Sequence, residues 1–348
     1  MSKRTKENPL SAVILAEDAD QGAGGIAALP TRVGRYSEAH RRALAMSDYA
    51  LEIGEKAIAS KLAFCGDYLL FRHFYTVDDV RLHAAKFCRK HLLCPLCAIR
   101  RASKYMQAYM QRLELVLAQH PGLQAFLVTV TVKDGEDLQE RFQHLRAAMR
   151  RMTQARRDHL KAPQKNRHVE AAKALGGVHS IEAKRGKGSG LWHPHAHAVW
   201  LCYEAPDASK LAQEWHAWTG DSYIVDVRPF YDQQDVASAF AEVFKYALKF
   251  AELPLEDNWQ AFLELSNRRL VDSFGLLRGV EVPDELTDEP LEGLPYIDYL
   301  YRWRGKGYSL AHQSEPIAGA CEGSDFGGGR GGGGAQNAAG AGAFLEDL

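Results

Sequence analysis

The sequence predicts an α+β protein in which helices flank an antiparallel sheet. The run FLVTVTV at 126–132 is rich in β-branched residues, which favour strands. Segments 178–183 and 195–202 also have strand character, and the glycine-rich turn at 185–190 between them indicates an antiparallel pair. A further short strand is expected near 222–228. Helical periodicity is found in the remaining long segments of this region, at 137–160, 208–218 and 234–252.

Changes in composition divide the 348-residue chain into five parts. The module expected to follow the N-terminal arm contains two predicted helices, at 36–59 and 99–118. The final part has 11 glycines in 30 residues, a composition typical of disorder. The five parts are a mobile arm at 1–35, a helical, cysteine-rich module at 36–118, a central α+β domain at 119–280, an acidic extension at 281–318 and a disordered Gly/Ala-rich tail at 319–348.

The composition is that of an ordinary globular protein, with 46% hydrophobic and 25% charged residues. No apolar run approaches the roughly 18 residues that suggest a membrane span. The short apolar stretch near the N-terminus is interrupted by Glu17 and Asp18, which does not fit a secretory signal. We therefore expect a cytoplasmic protein with no membrane partner.

Charge is distributed unevenly although the net charge is only −1. Residues 141–187 contain 13 Lys or Arg and three acids, whereas residues 281–298 contain seven acids and no Lys or Arg. A basic segment attracts phosphates, so the middle of the chain predicts DNA contact, although a solvated basic loop has the same composition. The candidate DNA-binding residues are Arg150, Arg151, Arg156, Arg157, Lys184, Arg185, Lys187 and, further along the chain, Lys245.

Two histidines on one predicted strand form a candidate metal site. In WHPHAHAVW, His195 and His197 are two positions apart, so their side chains share a face of the strand. Such a pair can hold a divalent cation. Glu182 on the preceding strand offers a hard oxygen donor suited to Mg²⁺ or Mn²⁺, although a salt bridge with Lys184 is an alternative role. A histidine cluster without a metal is the competing interpretation.

A second candidate group lies on the helix predicted at 234–252. At 100° per residue, Glu242, Tyr246 and Lys249 lie at roughly 0°, 40° and −20°, on one stripe of the helix. A phenol nucleophile, an ammonium that offsets phosphate charge and a carboxylate that accepts a proton suit phosphoryl transfer. The alternative is a Glu–Lys pair with the tyrosine packed between its members.

A third group consists of cysteines. Cys94 and Cys97 form a C-x₂-C knuckle, and Cys88 lies close before them. In a cytoplasmic protein such clustering indicates structural Zn²⁺ rather than disulfides. Cys65 is our candidate for the fourth ligand, with His91 as its competitor. The remaining cysteines, Cys202 and Cys321, lie apart from this group.

Taken together, these segments resemble plasmid rolling-circle replication initiators (Rep proteins), a single-tyrosine branch of the HUH endonuclease superfamily. The resemblance covers roughly 60–280. Ala196 stands where the family usually has a bulky hydrophobic residue, which should loosen the packing beneath the histidine strand. The matching segments, in family order, are FCRKHLLCPLCAIRRASKY, FLVTVTV, WHPHAHAVW, EVFKYALK with its acid four residues before the tyrosine, and RLVDSFGLLRG (269–279).

The resemblance implies a ferredoxin-like or RRM-like antiparallel sheet, the HUH endonuclease core, with the histidine strand central and the tyrosine helix across it. It also implies a metal-dependent nickase. The metal polarises a phosphate at the origin and Tyr246 attacks, leaving a 5′-phosphotyrosine and a free 3′-OH. Glu242 helps to end the round and Lys249 positions the phosphate.

The resemblance further implies that the basic segment and the cysteine module bind plasmid origin DNA, as single strands or a hairpin. A host helicase and a DNA polymerase are the implied partners. An HUH transposase or a mobilisation relaxase is the nearest alternative. A non-catalytic, zinc-containing DNA-binding repressor is an alternative from another class.

Overall fold

The computed structural model of the chain describes residues 25–230 and 233–319. Most of the predicted arm, most of the Gly/Ala-rich tail and Cys321 lie outside these residues. Two short 3₁₀ helices, Ile26–Ala28 and Glu170–Lys173, accompany the regular elements. In chain order those elements are α1 (Leu29–Glu52), α2 (Lys56–Ala63), β1 (Tyr68–Phe74), β2 (Asp79–Ala85), α3 (Pro95–Gln119), β3 (Gln124–Thr131), α4 (Leu138–Lys161), β4 (Ala174–Arg185), β5 (Trp192–Cys202), α5 (Ala208–Thr219), β6 (Val225–Phe230), α6 (Gln233–Phe244), α7 (Tyr246–Ala251), α8 (Leu255–Leu265), β7 (Val271–Gly275), β8 (Ile297–Trp303) and β9 (Tyr308–Gln313).

The first helix corrects the expectation of a mobile arm up to residue 35. Helix α1 begins at Leu29 with Pro30 in its first turn, a position where proline favours helix initiation. The helix predicted at 36–59 is also divided in two, because Gly54 adopts a left-handed conformation with φ +87° between α1 and α2.

Five antiparallel strands form the sheet that carries the histidines, which we call the histidine sheet. Its strand order is β6-β3-β5-β4-β7. The segment β3-α4-β4-β5-α5-β6 is a split β-α-β unit with the ferredoxin-like order, and β7 adds an edge strand. The predicted α+β class and the central position of the histidine strand are therefore confirmed.

The strand register brings several polar side chains to one face of the histidine sheet. His195 pairs with Glu182 of β4, and His197 pairs with Ser180 of β4 and Thr129 of β3. Because side chains alternate along a strand, these groups lie on one face, and the alanine between the histidines lies on the other. Helices α4 and α5 pack against each other on that other face.

A second antiparallel sheet joins the two ends of the described chain. Its order is β2-β1-β8-β9, so strands from the cysteine module pair with strands from the predicted acidic extension. This corrects two expectations. The module is not purely helical, and residues 281–318 are not a separate extension, since β8 and β9 complete the sheet of the module.

Buried ionic contacts fix the acidic segment to the helices of the module. Asp288 pairs with Arg100 of α3 and, at 2.9 Å, with Arg32 of α1, and it accepts a hydrogen bond from the backbone N–H of Leu82. Helix α3 then runs from the module onto the histidine sheet, where Tyr105 stacks on Phe244 with ring centroids 5.3 Å apart. Module and sheet thus share one continuous core.

Across residues 25–230 and 233–319, none of the helices combines the length and apolar character needed to cross a bilayer.

Candidate functional site

The predicted metal ligands meet on the histidine sheet. Nε2 of His195 lies 3.3 Å from one carboxylate oxygen of Glu182, and Nε2 of His197 lies 3.9 Å from the other. The three ligand atoms are all within 4.8 Å of one another. Glu182 makes no salt bridge with Lys184, which is an exposed residue. The geometry therefore favours ligation over the alternative role for Glu182.

Hydrogen bonds orient both imidazoles toward Glu182. Nδ1 of His197 lies 2.9 Å from the hydroxyl of Thr129, and Nδ1 of His195 lies 3.3 Å from the backbone carbonyl of His193. To bind a metal, each ring would carry its proton on Nδ1 and donate these bonds, which would leave the lone pair of Nε2 for the ion. Outer hydrogen bonds of this kind are typical of metal-binding histidines.

The chemistry of the donor set fits a divalent cation. Burial acts to raise the pKa of Glu182, but the hydrogen bond from His195 and the nearby imidazoles and Lys249 outweigh it, so the pKa is lowered and the carboxylate is ionised. Burial lowers the pKa of His197, which favours the neutral ring. One oxygen of Glu182 is buried and has no hydrogen-bond partner, a costly arrangement that a bound cation would relieve.

The third histidine of the strand does not join the group. Nδ1 of His193 lies 2.5 Å from a carboxylate oxygen of Asp134 instead. The opposite face of the strand shows the predicted loose packing, since Ala196 and Ala198 line a cavity of about 80 Å³ beneath helix α4.

The helix that was predicted to carry Glu242, Tyr246 and Lys249 on one stripe is not continuous. The helix is interrupted at Lys245, between α6 and α7. Glu242 lies 3.8 Å from Nε2 of His197 and also bonds Lys245, and Lys249 acts electrostatically on Glu182. Glu242, Lys245 and Lys249 therefore lie beside the metal candidates.

Tyr246 has different neighbours. Its ring packs edge-on against His91, with centroids 6.3 Å apart, and its hydroxyl makes no hydrogen bond to the metal candidates within the described chain. Burial raises the pKa of Tyr246 above its usual range, and Arg101 only partly opposes this effect. The contacts of Tyr246 are therefore with His91 and not with Glu242 or Lys249, and the catalytic grouping of these three residues stays a prediction.

The four predicted cysteines converge. Sγ of Cys65 lies 3.5 Å from that of Cys94 and 3.6 Å from that of Cys97, which is 3.6 Å from Cys88. A tetrahedral ion with bonds of roughly 2.3 Å sets sulfur atoms roughly 3.8 Å apart, close to this spacing. Cys65, rather than His91, completes the group.

The basic residues predicted to contact DNA fall into two sets. Arg151 and Arg156 donate hydrogen bonds to the backbone carbonyls of Trp218 and Ala174, and Arg185 pairs with Asp257. Helix α4 also covers the face of the sheet opposite the metal candidates, so its basic surface is turned away from them. The exposed residues of the prediction are Arg150, Arg151, Arg157, Lys184 and Lys187.

Sequence reasoning did not single out two features. Thr129 was part of a recognised strand motif, and the strand pairing alone places it beside His197. A basic cleft next to Tyr246 combines residues 89–92, 101 and 266–271, and only the fold brings these segments together.

A ferredoxin-like sheet with a Glu–His–His group, joined to a four-cysteine module, defines a class of α+β protein with two candidate metal centres. The chain belongs to the family of plasmid replication proteins, because the "Replication protein" family model matches residues 79–296. This confirms the resemblance to rolling-circle Rep proteins, and the chain is a plasmid replication initiator.

Two curated relatives agree with this assignment. "Protein rep" of Streptococcus pneumoniae serotype 2 (strain D39 / NCTC 7466) is 27% identical over 232 residues, which cover 62% of this chain and 67% of the relative. "Protein rep" of Lactiplantibacillus plantarum is 26% identical over 248 residues, which cover 64% of this chain and 74% of the relative. No solved structure matches the chain significantly.

Proposed function

We propose that this initiator nicks one strand of plasmid origin DNA and carries the 5′ end as a phosphotyrosine on Tyr246, so that the strand can later be rejoined. The observation that carries the proposal is the orientation of Glu182, His195 and His197 toward one another on one face of the histidine sheet, with Glu242, Lys245 and Lys249 beside them. A carboxylate and two neutral imidazoles would hold Mg²⁺ or Mn²⁺. Such an ion polarises a phosphoryl oxygen. The four cysteines would hold a structural Zn²⁺.

In the cleavage step the phenol oxygen of Tyr246 forms a bond to phosphorus while the bond to the 3′ oxygen breaks. The released 3′ oxygen takes up a proton and becomes the primer end for a host polymerase, with a host helicase opening the duplex. Burial raises the pKa of Tyr246, so the phenol enters the step protonated, and the proton that it loses balances the one that the 3′ oxygen takes up. For the reaction the ring of Tyr246 would turn from His91 toward Glu242.

The residues beside the metal candidates have distinct tasks in this proposal. Lys249 offsets the charge of the bound phosphate. Glu242 accepts a proton from a water molecule, or assists a second cleavage, when the round of replication ends. Its distance of 3.8 Å from His197 supports this role, because the metal candidates would bind the phosphate nearby.

The test is incubation of the purified full chain with supercoiled or single-stranded origin DNA and Mn²⁺, followed by denaturing gels. We expect nicked DNA and a covalent protein–DNA adduct, both lost in Tyr246→Phe. Tyr223→Phe is the matched control, because Tyr223 is 68% exposed and lies outside the site. An adduct that persists in Tyr246→Phe would refute the nucleophile, and no adduct in the wild type would favour a non-catalytic DNA-binding protein.

The same assay separates the two steps for Glu242. We expect Glu242→Ala to form the adduct at nearly the wild-type rate and to accumulate it, because the water is no longer activated. Release of the DNA at the wild-type rate would contradict this role.

A further inference from the structure

An open cleft of about 610 Å³ lies between the cysteine module and the histidine sheet. One wall is the loop 89–92, which connects Cys88 to Cys94, and the other is the segment 266–271, which follows helix α8. Tyr246 lines the cleft and is only 5% exposed. The cleft has the size of ordinary ligand sites, roughly 300–1,000 Å³.

The lining of this cleft is strongly basic and contains no carboxylate. Lys90 and Arg268, on opposite walls, have no ion pair within the described part of the chain. The ion pairs of the other arginines are with acids outside the cleft, at 3.4 to 3.6 Å, and surface pairs of this kind are weak. These are Arg89 with Glu285, Arg101 with Asp284, and Arg269 with Asp272. Arg101 is held more firmly than the others, since it also donates a hydrogen bond to the carbonyl of Pro283 and stacks on Tyr105.

The cysteine group holds the first wall in place. The backbone N–H of Cys88 points at Sγ of Cys65, at 3.3 Å, and the carbonyl of Lys90 accepts hydrogen bonds from the N–H groups of Leu93 and Cys94. Arg89, between these anchors, is in the left-handed conformation with φ +57°. These bonds fix the backbone of the loop, so Arg89 and Lys90 project from a defined turn.

We propose that this cleft binds the sugar-phosphate backbone of single-stranded DNA next to Tyr246, a proposal that rests on the nicking function above. A strand that enters this cleft lies beside Tyr246, and a single strand enters readily because its bases are not held in a duplex stack. Cations on two facing walls can contact successive phosphates of one strand, and these contacts do not depend on the base sequence. The basic surface of α4 does not serve this purpose, because it lies on the other face of the sheet.

The test measures binding without chemistry. A fluorescein-labelled 12-nucleotide oligo-dT is titrated with the full chain, without added Mg²⁺ or Mn²⁺ and without chelator, at several salt concentrations. Single strands show a slope of log K against log salt of roughly −0.7 per phosphate contact. We expect the double variant Lys90→Ala/Arg268→Ala to bind at least about tenfold more weakly at physiological salt and to lose about 1.4 from the slope.

The matched control is Arg304→Ala/Lys306→Ala, which removes the same charge from exposed positions in the turn between β8 and β9. We expect this variant to bind like the wild type, and Lys90→Arg/Arg268→Lys to retain binding because the charge is kept. Wild-type affinity and slope in Lys90→Ala/Arg268→Ala would overturn the proposal. So would equal losses in the control pair, which would indicate a general charge effect.

Competitors identify the ligand. We expect unlabelled oligo-dT to compete better as its length increases, and dTMP or inorganic phosphate to compete poorly. Equal competition by dTMP would assign the cleft to a mononucleotide, and tighter binding of oligo-rU would assign it to RNA; either result overturns the proposal.

A wild type that forms no adduct but shows the cleft-dependent slope would refute the nicking function and leave the cleft in place. Normal adduct formation by Lys90→Ala/Arg268→Ala at limiting DNA would refute the role of the cleft and leave the nicking function in place.

Discussion

The hydroxyl of Thr129 lies 2.9 Å from Nδ1 of His197, across the pair of strands at the centre of the histidine sheet. This contact fixes the plane of the imidazole and leaves Nε2 as the atom that faces Glu182. Thr129 is not itself a candidate metal ligand, but it determines the orientation of His197, which is one.

We expect Thr129→Val to weaken Mn²⁺ binding by about 10- to 100-fold, because valine keeps the shape of threonine but removes the hydrogen-bond partner of Nδ1. Calorimetric titration of the metal-free histidine site measures the change. Thr129→Ser is the control, since it keeps a hydroxyl at the same position. Equal Mn²⁺ affinity in Thr129→Val and the wild type would show that the contact does not orient a ligand.

We expect Cys65→Ser to lose the bound Zn²⁺ and His91→Ala to retain it, because Cys65 lies with the other three sulfurs and His91 packs against Tyr246. Metal content by mass spectrometry measures this result. Cys202→Ser is the matched control, a buried cysteine on β5 outside the group. Zinc retained in Cys65→Ser and lost in His91→Ala would reverse the assignment of the fourth ligand.

Four of the five strands of the histidine sheet were predictable, because β3 is rich in β-branched residues and a glycine-rich turn separates β4 from β5, whereas the edge strand β7 was not predicted. Side-chain parity alone places His195 and His197 on one face, and the turn between β4 and β5 brings Glu182 opposite His195. Local periodicity therefore determined most of the candidate metal centre.

The errors arose where tertiary contacts override local pattern. An ideal helix would carry Glu242, Tyr246 and Lys249 on one stripe, but the helix is interrupted at Lys245, and nothing in the local residue pattern marks that position. The pairing of β1 with β8 joins residues more than 220 positions apart, and periodicity carries no information about such a distant partner. The cleft depends on the same kind of long-range contact.

We expect Ala196→Val to stabilise the fold by about 1 kcal/mol, because two added methyl groups enter the cavity of about 80 Å³ under β5 and each buried carbon contributes about 0.8 kcal/mol before strain. Urea unfolding measures the change, and the metal affinity should stay the same because position 196 faces away from the ligands. Ala183→Val is the control, since Ala183 is fully buried without lining this cavity. It should destabilise the protein by about 1–3 kcal/mol through overpacking. Equal destabilisation in both variants would show that the cavity cannot accept the larger side chain.

The Asp288 carboxylate should determine how well the fold survives acid. Burial acts to raise the pKa of Asp288, but Arg100 and Arg32 outweigh it and lower the pKa well below the roughly 3.9 of an unfolded chain. A lowered carboxyl pKa stabilises the folded state above the unfolded pKa, and this stabilisation is lost as pH falls through the folded pKa.

We expect Asp288→Asn to lower the free energy of unfolding by about 3–5 kcal/mol near neutral pH, because Arg100, only 1% exposed, keeps a buried charge without its partner. Urea unfolding between pH 7 and pH 3 should show a gap between wild type and variant that narrows toward the acid end. Asp284→Asn, at a position 90% exposed, should follow the wild type throughout; a gap that stayed constant with pH would mean that the variant disturbs packing rather than the ion pair.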